Sequence, residues 1–275
     1  MIRATLTNII VISAFIFRAG FALASECPFD YPGVEPVLHK SNLSAIELCA
    51  PNGGFVTEYS ESWRLPLFSV EHLTREHLKE HYSKGAKRVD SFRPDERIPA
   101  NYRAELSDYA HAKMIDRGHL APDADSWSSD SEYDTFVLSN MIPQASDNNR
   151  GLHAHIEAAV RHLTMNSRDL YVYTGPLFLE PNPRLMHQRI PIPDHIFKLV
   201  YNPHTNQAAA YVEKNDNGDD DQYQAVSAQE LSRMAGIDFL PGKNPGMLDL
   251  PKPLENNREH HVRNFHLVML RHHFW

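Results

Sequence analysis

The period of apolar and polar positions changes several times along this chain, and the changes mark out its elements. Phe55-Val56-Thr57-Glu58-Tyr59 alternates and predicts a strand. Residues 69–82 mix charges with Leu73 and Leu78 and read as a connecting segment of undefined type, and 84–99 is loop-like. Phe136-Val137-Leu138 is a short apolar run that predicts a buried strand. After Asn149, positions Leu152, Ile156, Ala159, Val160 and Leu163 fall at helical spacing. Leu170-Tyr171-Val172-Tyr173-Thr174 predicts a strand that Gly175-Pro176 stops. Two more strands, over 196–201 and 208–212, flank the turn residues Asn202-Pro203-His204-Thr205-Asn206. Ser227-Ala228-Gln229-Glu230 is a capping box for a helix ending at Gly236, and 265–270 predicts a last strand or short helix. No repeat or linker divides residues 25–275. The pattern predicts one domain of mixed strands and helices.

The N-terminus departs from this pattern. Arg3, an apolar run over 9–17, Arg18 and Phe21-Ala22-Leu23-Ala24 predict a signal peptide over 1–24, cut after Ala24. The run is too short for a span and is broken by Arg18, so no stable membrane association is expected after cleavage. This predicts a secreted or periplasmic protein. In an oxidising compartment Cys27 and Cys49 are expected to pair. They would close an irregular arm over 25–52, a constraint of about 3 kcal/mol.

Charge narrows the function classes. The chain carries a formal charge of −8 with 17 histidines, and loss of Arg3 and Arg18 makes it two units more negative. A protein that coats nucleic acid through bulk positive charge is excluded, whereas a local basic groove is not. The acidic stretch 215–221 lacks the register of a calcium loop and reads as solvated.

Polar chemistry concentrates in three neighbouring stretches: 116–122, 139–144 and 148–151. Hydrolysis of a phosphodiester needs an activated water, charge stabilisation at phosphorus and help for the leaving oxygen. A histidine suits the first task, and a hard divalent cation or an arginine suits the others. Mg²⁺ keeps most of its waters, so one protein oxygen such as an asparagine carbonyl suffices when phosphate supplies another. A strand–loop–strand–helix order would set His119 and Asn149 across one cleft. Glu157, eight residues beyond Asn149, would lie about 80° round and about 12 Å along one helix.

These residues resemble the DNA/RNA non-specific endonucleases of the ββα-metal (His-Me finger), endonuclease G-like type. Asp116-Arg117-Gly118-His119 matches one motif, and Ser139-Asn140-Met141-Ile142-Pro143-Gln144 matches a second. Asn149, Glu157 and Arg161 match its later positions in spacing. The resemblance is densest over 88–176. It implies an α+β fold, an antiparallel β-sheet core with flanking helices containing a ββα-metal motif, with His119 as general base, Asn149 as ligand to one Mg²⁺ or Mn²⁺ and Glu157 holding that ion through a water. Asn140 would position the site, and Arg117, Arg161 and an upstream arginine, Arg88 or Arg93, would contact phosphate. Arg150, where some members carry glutamine, would add charge near the metal. DNA and RNA are the implied substrates, with 5′-phosphate and 3′-hydroxyl products. Room remains for a homodimer and for an inhibitor protein.

Two other readings stay open. A catalytically silent nucleic-acid-binding module of the same fold suits the acidic charge, but the intact histidine, asparagine and glutamate positions oppose it. A zinc enzyme would need the histidine pairs. His153 and His155 lie about 200° apart on a helix, so His155 reads as a surface or partner-facing residue and His153 as near the cleft. His260-His261 and His272-His273 have no third ligand at motif spacing.

Overall fold

The computed structural model describes residues 27, 31–39, 44–84, 88–218 and 222–253. In chain order its principal elements are β1 (Ile46–Cys49), β2 (Phe55–Ser60), β3 (Leu65–Thr74), α1 (Arg75–Lys84), β4 (Ile115–His119), α2 (Ser129–Thr135), β5 (Met141–Ala145), α3 (Ser146–Arg150) and α4 (Leu152–Ser167). They continue with β6 (Asp169–Leu177), β7 (His195–Asn202), β8 (Gln207–Lys214), β9 (Tyr223–Val226) and α5 (Ala228–Ala235). An eight-stranded sheet runs β9-β8-β7-β6-β3-β2-β1, with Gly246–Met247 added beside β8. Every neighbouring pair on the main path is antiparallel. The expected α+β architecture is the one observed.

Both faces of the sheet are covered, which explains why its inner strands read as unbroken apolar runs. Phe197, Leu199 and Tyr201 of β7 share one apolar cluster with Leu231 of α5. Val200, one face over, packs with Leu73, Ile156, Val160 and Tyr211 against α4. On that second face a polar rung crosses the sheet, because Ser69, Thr174 and Lys198 are register partners. Lys198 Nζ donates to Thr174 Oγ1 at 2.7 Å, and Thr57 and Ser69 share a hydroxyl hydrogen bond of 2.7 Å. A polar rung inside an apolar sheet is a platform for something else, and the functional site stands on it.

Several expectations are corrected. The undefined stretch 69–82 is the end of the ten-residue β3 followed by α1. Its alternation is disguised because buried Ser69 and Glu71 face the site. Phe136-Val137-Leu138 is not a regular strand. It links α2 to a 3₁₀ turn, Leu138–Asn140, and the strand begins only at Met141; a buried apolar triplet does not distinguish the two. Gly175-Pro176 does not stop β6, which runs to Leu177. Beyond Thr174 the ladder to β3 ends and only β7 pairs with β6, so proline's missing donor is tolerated there. A side chain at Gly175 would meet the Leu67 carbonyl oxygen at 2.5 Å. Within the arm, Ile46–Cys49 joins the sheet as an edge strand, and the expected Cys27–Cys49 disulfide is present. The expectations for 1–24 and 265–270, and the pairs at 260–261 and 272–273, fall outside the described residues.

Opposite Glu47 on the neighbouring strand, burial pushes the Glu58 carboxyl up to about 7, with the charge of Glu47 adding to it and the Tyr31 hydroxyl, 3.3 Å away, opposing it. An acid that holds its proton in the fold opposes folding once the unfolded chain ionises. The stability cost grows from about pH 4.5 to about pH 7 and is then constant, at most about 3 kcal/mol. Glu58→Gln is expected to raise the melting temperature by several degrees at pH 8 and to leave it unchanged at pH 4.5. A difference independent of pH would refute this.

Candidate active site

β4 and β5 form their own two-stranded ladder, from Ile115↔Ala145 to His119↔Met141. The chain then enters α3 and α4 directly, giving the ββα order. Side chains rather than a backbone ladder tie this hairpin to the main sheet. Asn140 Oδ1 accepts from Ser69 Oγ of β3 at 2.8 Å. Asn215, just past β8, donates to the Pro143 carbonyl and accepts from Ala145 N. Gly118 lets the hairpin close, because a side chain there would fall 2.6 Å from Gln144 Cβ. Gln144 is buried and donates to Asn148 Oδ1 at 2.7 Å, so it has no room to yield. Gly118→Ala is therefore expected to cost about 1–3 kcal/mol, a drop of about 2–4 °C in Tm for each kcal/mol. An unchanged melting curve would sink this account.

His119 closes β4 and is only 8% exposed. Its ring stands edge-on to Phe136 at 5.0 Å and tilts against Phe92 at 5.7 Å. Burial, then the charge of Arg88, pushes its pKa down to about 3, outweighing Glu157 and Asp90. The imidazole is neutral at physiological pH, and its buried Nε2 has no hydrogen-bond partner among the described residues. Buried polar atoms are rarely left so, and a neutral ring with an unspent nitrogen is equipped to accept a proton.

Asn149 is tied to the same strand. Its Nδ2 donates to Asp116 Oδ2 at 3.0 Å, and Arg150 adds hydrogen bonds of 2.8 and 2.9 Å to the two Asp116 oxygens. An ionised carboxylate only accepts, so Asp116 fixes which end of the Asn149 amide it meets and leaves the carbonyl oxygen for a cation. Gly151 separates α3 from α4. A side chain on it would meet the Asp147 carbonyl oxygen at 2.7 Å, so Asn149 and Glu157 sit on different helices.

Glu157 does not pair with Arg161 one turn away. His153 Nε2 lies 3.4 Å from Glu157 Oε1, while His153 Nδ1 meets Glu213 Oε1 at 2.5 Å. Burial alone would raise the Glu157 pKa; the close approach and charge of His153, with Lys198 and Arg161, outweigh it and bring it to about 2. For His153, burial opposes the charge, yet Glu213 and Glu157 raise its pKa to about 9. Glu213 also accepts from Asn148 Nδ2 at 3.1 Å. His155, expected at the surface, is buried; α4 is covered on more than one side by the sheet and α3.

The remaining candidates separate. Asn140 is fully buried. It accepts from Ala121 N and donates to the carbonyls of Ala121 and Thr135, so it fixes the chain just after His119 and does not face substrate. Arg88 reaches the site: its guanidinium lies over Phe136 at 5.1 Å, the ring His119 also touches. Arg93 does not, being held over Tyr133 at 3.5 Å with a hydrogen bond to the Tyr133 carbonyl. Arg117 stacks on Phe92 at 4.1 Å. Arg161 pairs with Asp125 at 3.0 Å, and Arg88 with Asp123 at 2.8 Å. Sequence reading quoted Asp116 within its motif without a role, set His153 near the cleft, and passed over Asp123, Asp125, Lys198 and Glu213 as contributors. An acid ending an apolar strand, as at Glu213, was the one available signal.

Residues 41–245 match the family of DNA/RNA non-specific endonucleases. The chain belongs to that family. A nuclease of Syncephalastrum racemosum is 37% identical over 183 residues, covering 60% of this chain and 56% of its own length. The mitochondrial nuclease 1 of Schizosaccharomyces pombe is 31% identical over 212 residues, covering 69% of this chain and 65% of its own. The chain thus spans less than two thirds of either relative. A solved EndoG/EndoGI complex matches with a TM-score of 0.59 and 27% identity, over 76% of this chain and 89% of that one. The expectation of a secreted or periplasmic location is overturned. The relatives from Schizosaccharomyces pombe, Saccharomyces cerevisiae, mouse and human are mitochondrial nucleases by name. The physical reason for the error is that an apolar leader with two arginines and no acid is shared by more than one kind of targeting segment.

Proposed function

We propose that this endonuclease hydrolyses phosphodiester bonds in DNA and RNA with a divalent cation, little sequence specificity and 5′-phosphate products. The observation that carries the reading is the neutral, unspent Nε2 of His119 beside Arg88 and Glu157. The donor set fits a hard cation: a carbonyl oxygen of Asn149, oriented by Asp116, and the ionised carboxylate of Glu157. Mg²⁺ or Mn²⁺, when bound, would supply charge stabilisation at the phosphoryl and leaving oxygens. His119 takes the proton from the attacking water. Arg88 and Arg161 meet phosphate charge, and Arg117 and Arg150 extend the basic surface. Phosphate-directed arginines position a strand without reading its bases. Among the described residues no helix is long and apolar enough to cross a membrane. The EndoG/EndoGI neighbour supports the expectation of an inhibitor protein for this chain as well.

The test is purified protein on supercoiled plasmid and on RNA, with a metal panel and EDTA. Cleavage of both, stopped by EDTA and restored by Mg²⁺ or Mn²⁺, with ligatable 5′-phosphate ends, is the expected result. A gel shift without cleavage in any metal would overturn it.

A further inference from the structure

Four residues beyond His119 the chain makes a 3₁₀ turn, Asp123–Asp125. Its two carboxylates take one arginine each, from different parts of the chain. Asp123 Oδ1 accepts from Arg88 Nη1 at 2.8 Å, across 35 residues, and Asp125 Oδ1 accepts from Arg161 Nη1 at 3.0 Å, across 36. The turn itself is held firmly. Asn140 clamps both backbone groups of Ala121 before it. Ser126 Oγ donates to the Asp123 carbonyl at 2.6 Å, and the Ser126 carbonyl meets His81 of α1.

We infer that Asp123 and Asp125 are positioning residues that aim Arg88 and Arg161 at the phosphate approaching His119. The inference rests on the nuclease reading of the site. Arg88 has a flexible stem and an exposed guanidinium, so without a partner it would sample many directions. One carboxylate on a fixed turn, helped by Asp90 at 2.7 Å, holds it over Phe136 and next to the general base. Arg161 is more enclosed, and the buried carboxylate of Asp125 keeps its charge in place near Glu157. A single rigid turn thus fixes two cations relative to the histidine that precedes it.

The test is a double-mutant cycle, read both in cleavage and in binding of a fluorescein-labelled oligonucleotide with EDTA present. Asp123→Asn keeps the shape and removes the charge. It is expected to raise KM and the oligonucleotide Kd about 3–10-fold, with kcat changed less than about two-fold. In an Arg88→Ala background the same change is expected to add less than about two-fold, whereas in Arg161→Ala it should keep its full effect. Asp125→Asn should show the reverse dependence. Asp123→Asn preserves the side chain's shape, so the variant should fold, which a melting curve checks. Equal losses from Asp123→Asn with and without Arg88, or no change in KM and Kd, would overturn the positioning role. Absence of wild-type cleavage would sink the nuclease reading instead, while the binding arm still decides the role of the turn.

Discussion

Replacing His119 with alanine is expected to cut phosphodiester cleavage by about 10²–10⁴-fold, the usual worth of a positioned general base. The loss should fall on kcat. His119 sits between two aromatic rings and contributes no charge to substrate binding, because burial and Arg88 keep it neutral. KM should therefore change little, while truncation of this buried ring lowers the melting temperature. The low pKa also fixes the sign of the pH dependence. A base that stays unprotonated down to about pH 3 in the free protein loses its proton acceptor only in acid, so the His119-dependent limb of kcat/KM should lie on the acid side and stay flat through neutrality. Plasmid nicking by wild type and His119→Ala, across pH and with an EDTA control, measures both points. Near-normal turnover by the variant would refute the assignment.

Asn149→Ala is expected to have the second largest effect, about 10²–10³-fold in kcat, the scale seen when one stabiliser of transition-state charge is removed. Here the deficit should trace to the cation. Asp116 would lose its amide partner but keep Arg150, so the fold should survive. Calorimetric titration with Mn²⁺ gives a readout apart from turnover: binding should weaken at least ten-fold. Unchanged Mn²⁺ affinity with lost activity would show that Asn149 acts in some other way.

The sequence was most informative where chemistry has a local spacing. His119, Asn140, Asn149, Glu157 and Arg161 were readable because a strand, a turn and two helices in succession fix their separations. The alternating strands and the α4 periodicity were readable for the same reason. What stayed hidden depends on tertiary pairing. Glu213 reaches His153 across 60 residues and Asp123 reaches Arg88 across 35, and no local pattern announces such partners. Arg88 and Arg93 looked equivalent because they are five residues apart. Only the docking of α2 distinguishes them, by offering Arg93 the Tyr133 ring and carbonyl. Asn140 was expected to position the site, and its buried amide brackets Ala121, Thr135 and Ser69, partners that a motif's spacing does not name.

The side-chain amides that fasten the hairpin to the sheet have a consequence for how the protein ages. Asparagine is among the thermolabile residues, and three of them carry this attachment. Asn140 and Asn215 are buried and shielded from water. Asn217 is exposed, precedes a glycine, and donates to the Met114 carbonyl at the start of the hairpin while accepting from Asp147 N. Its conversion to aspartate would delete that donor and add a negative charge beside Asp147. Chemical wear would then reach the hairpin that carries His119 from its outer end, before the sheet beneath it is touched.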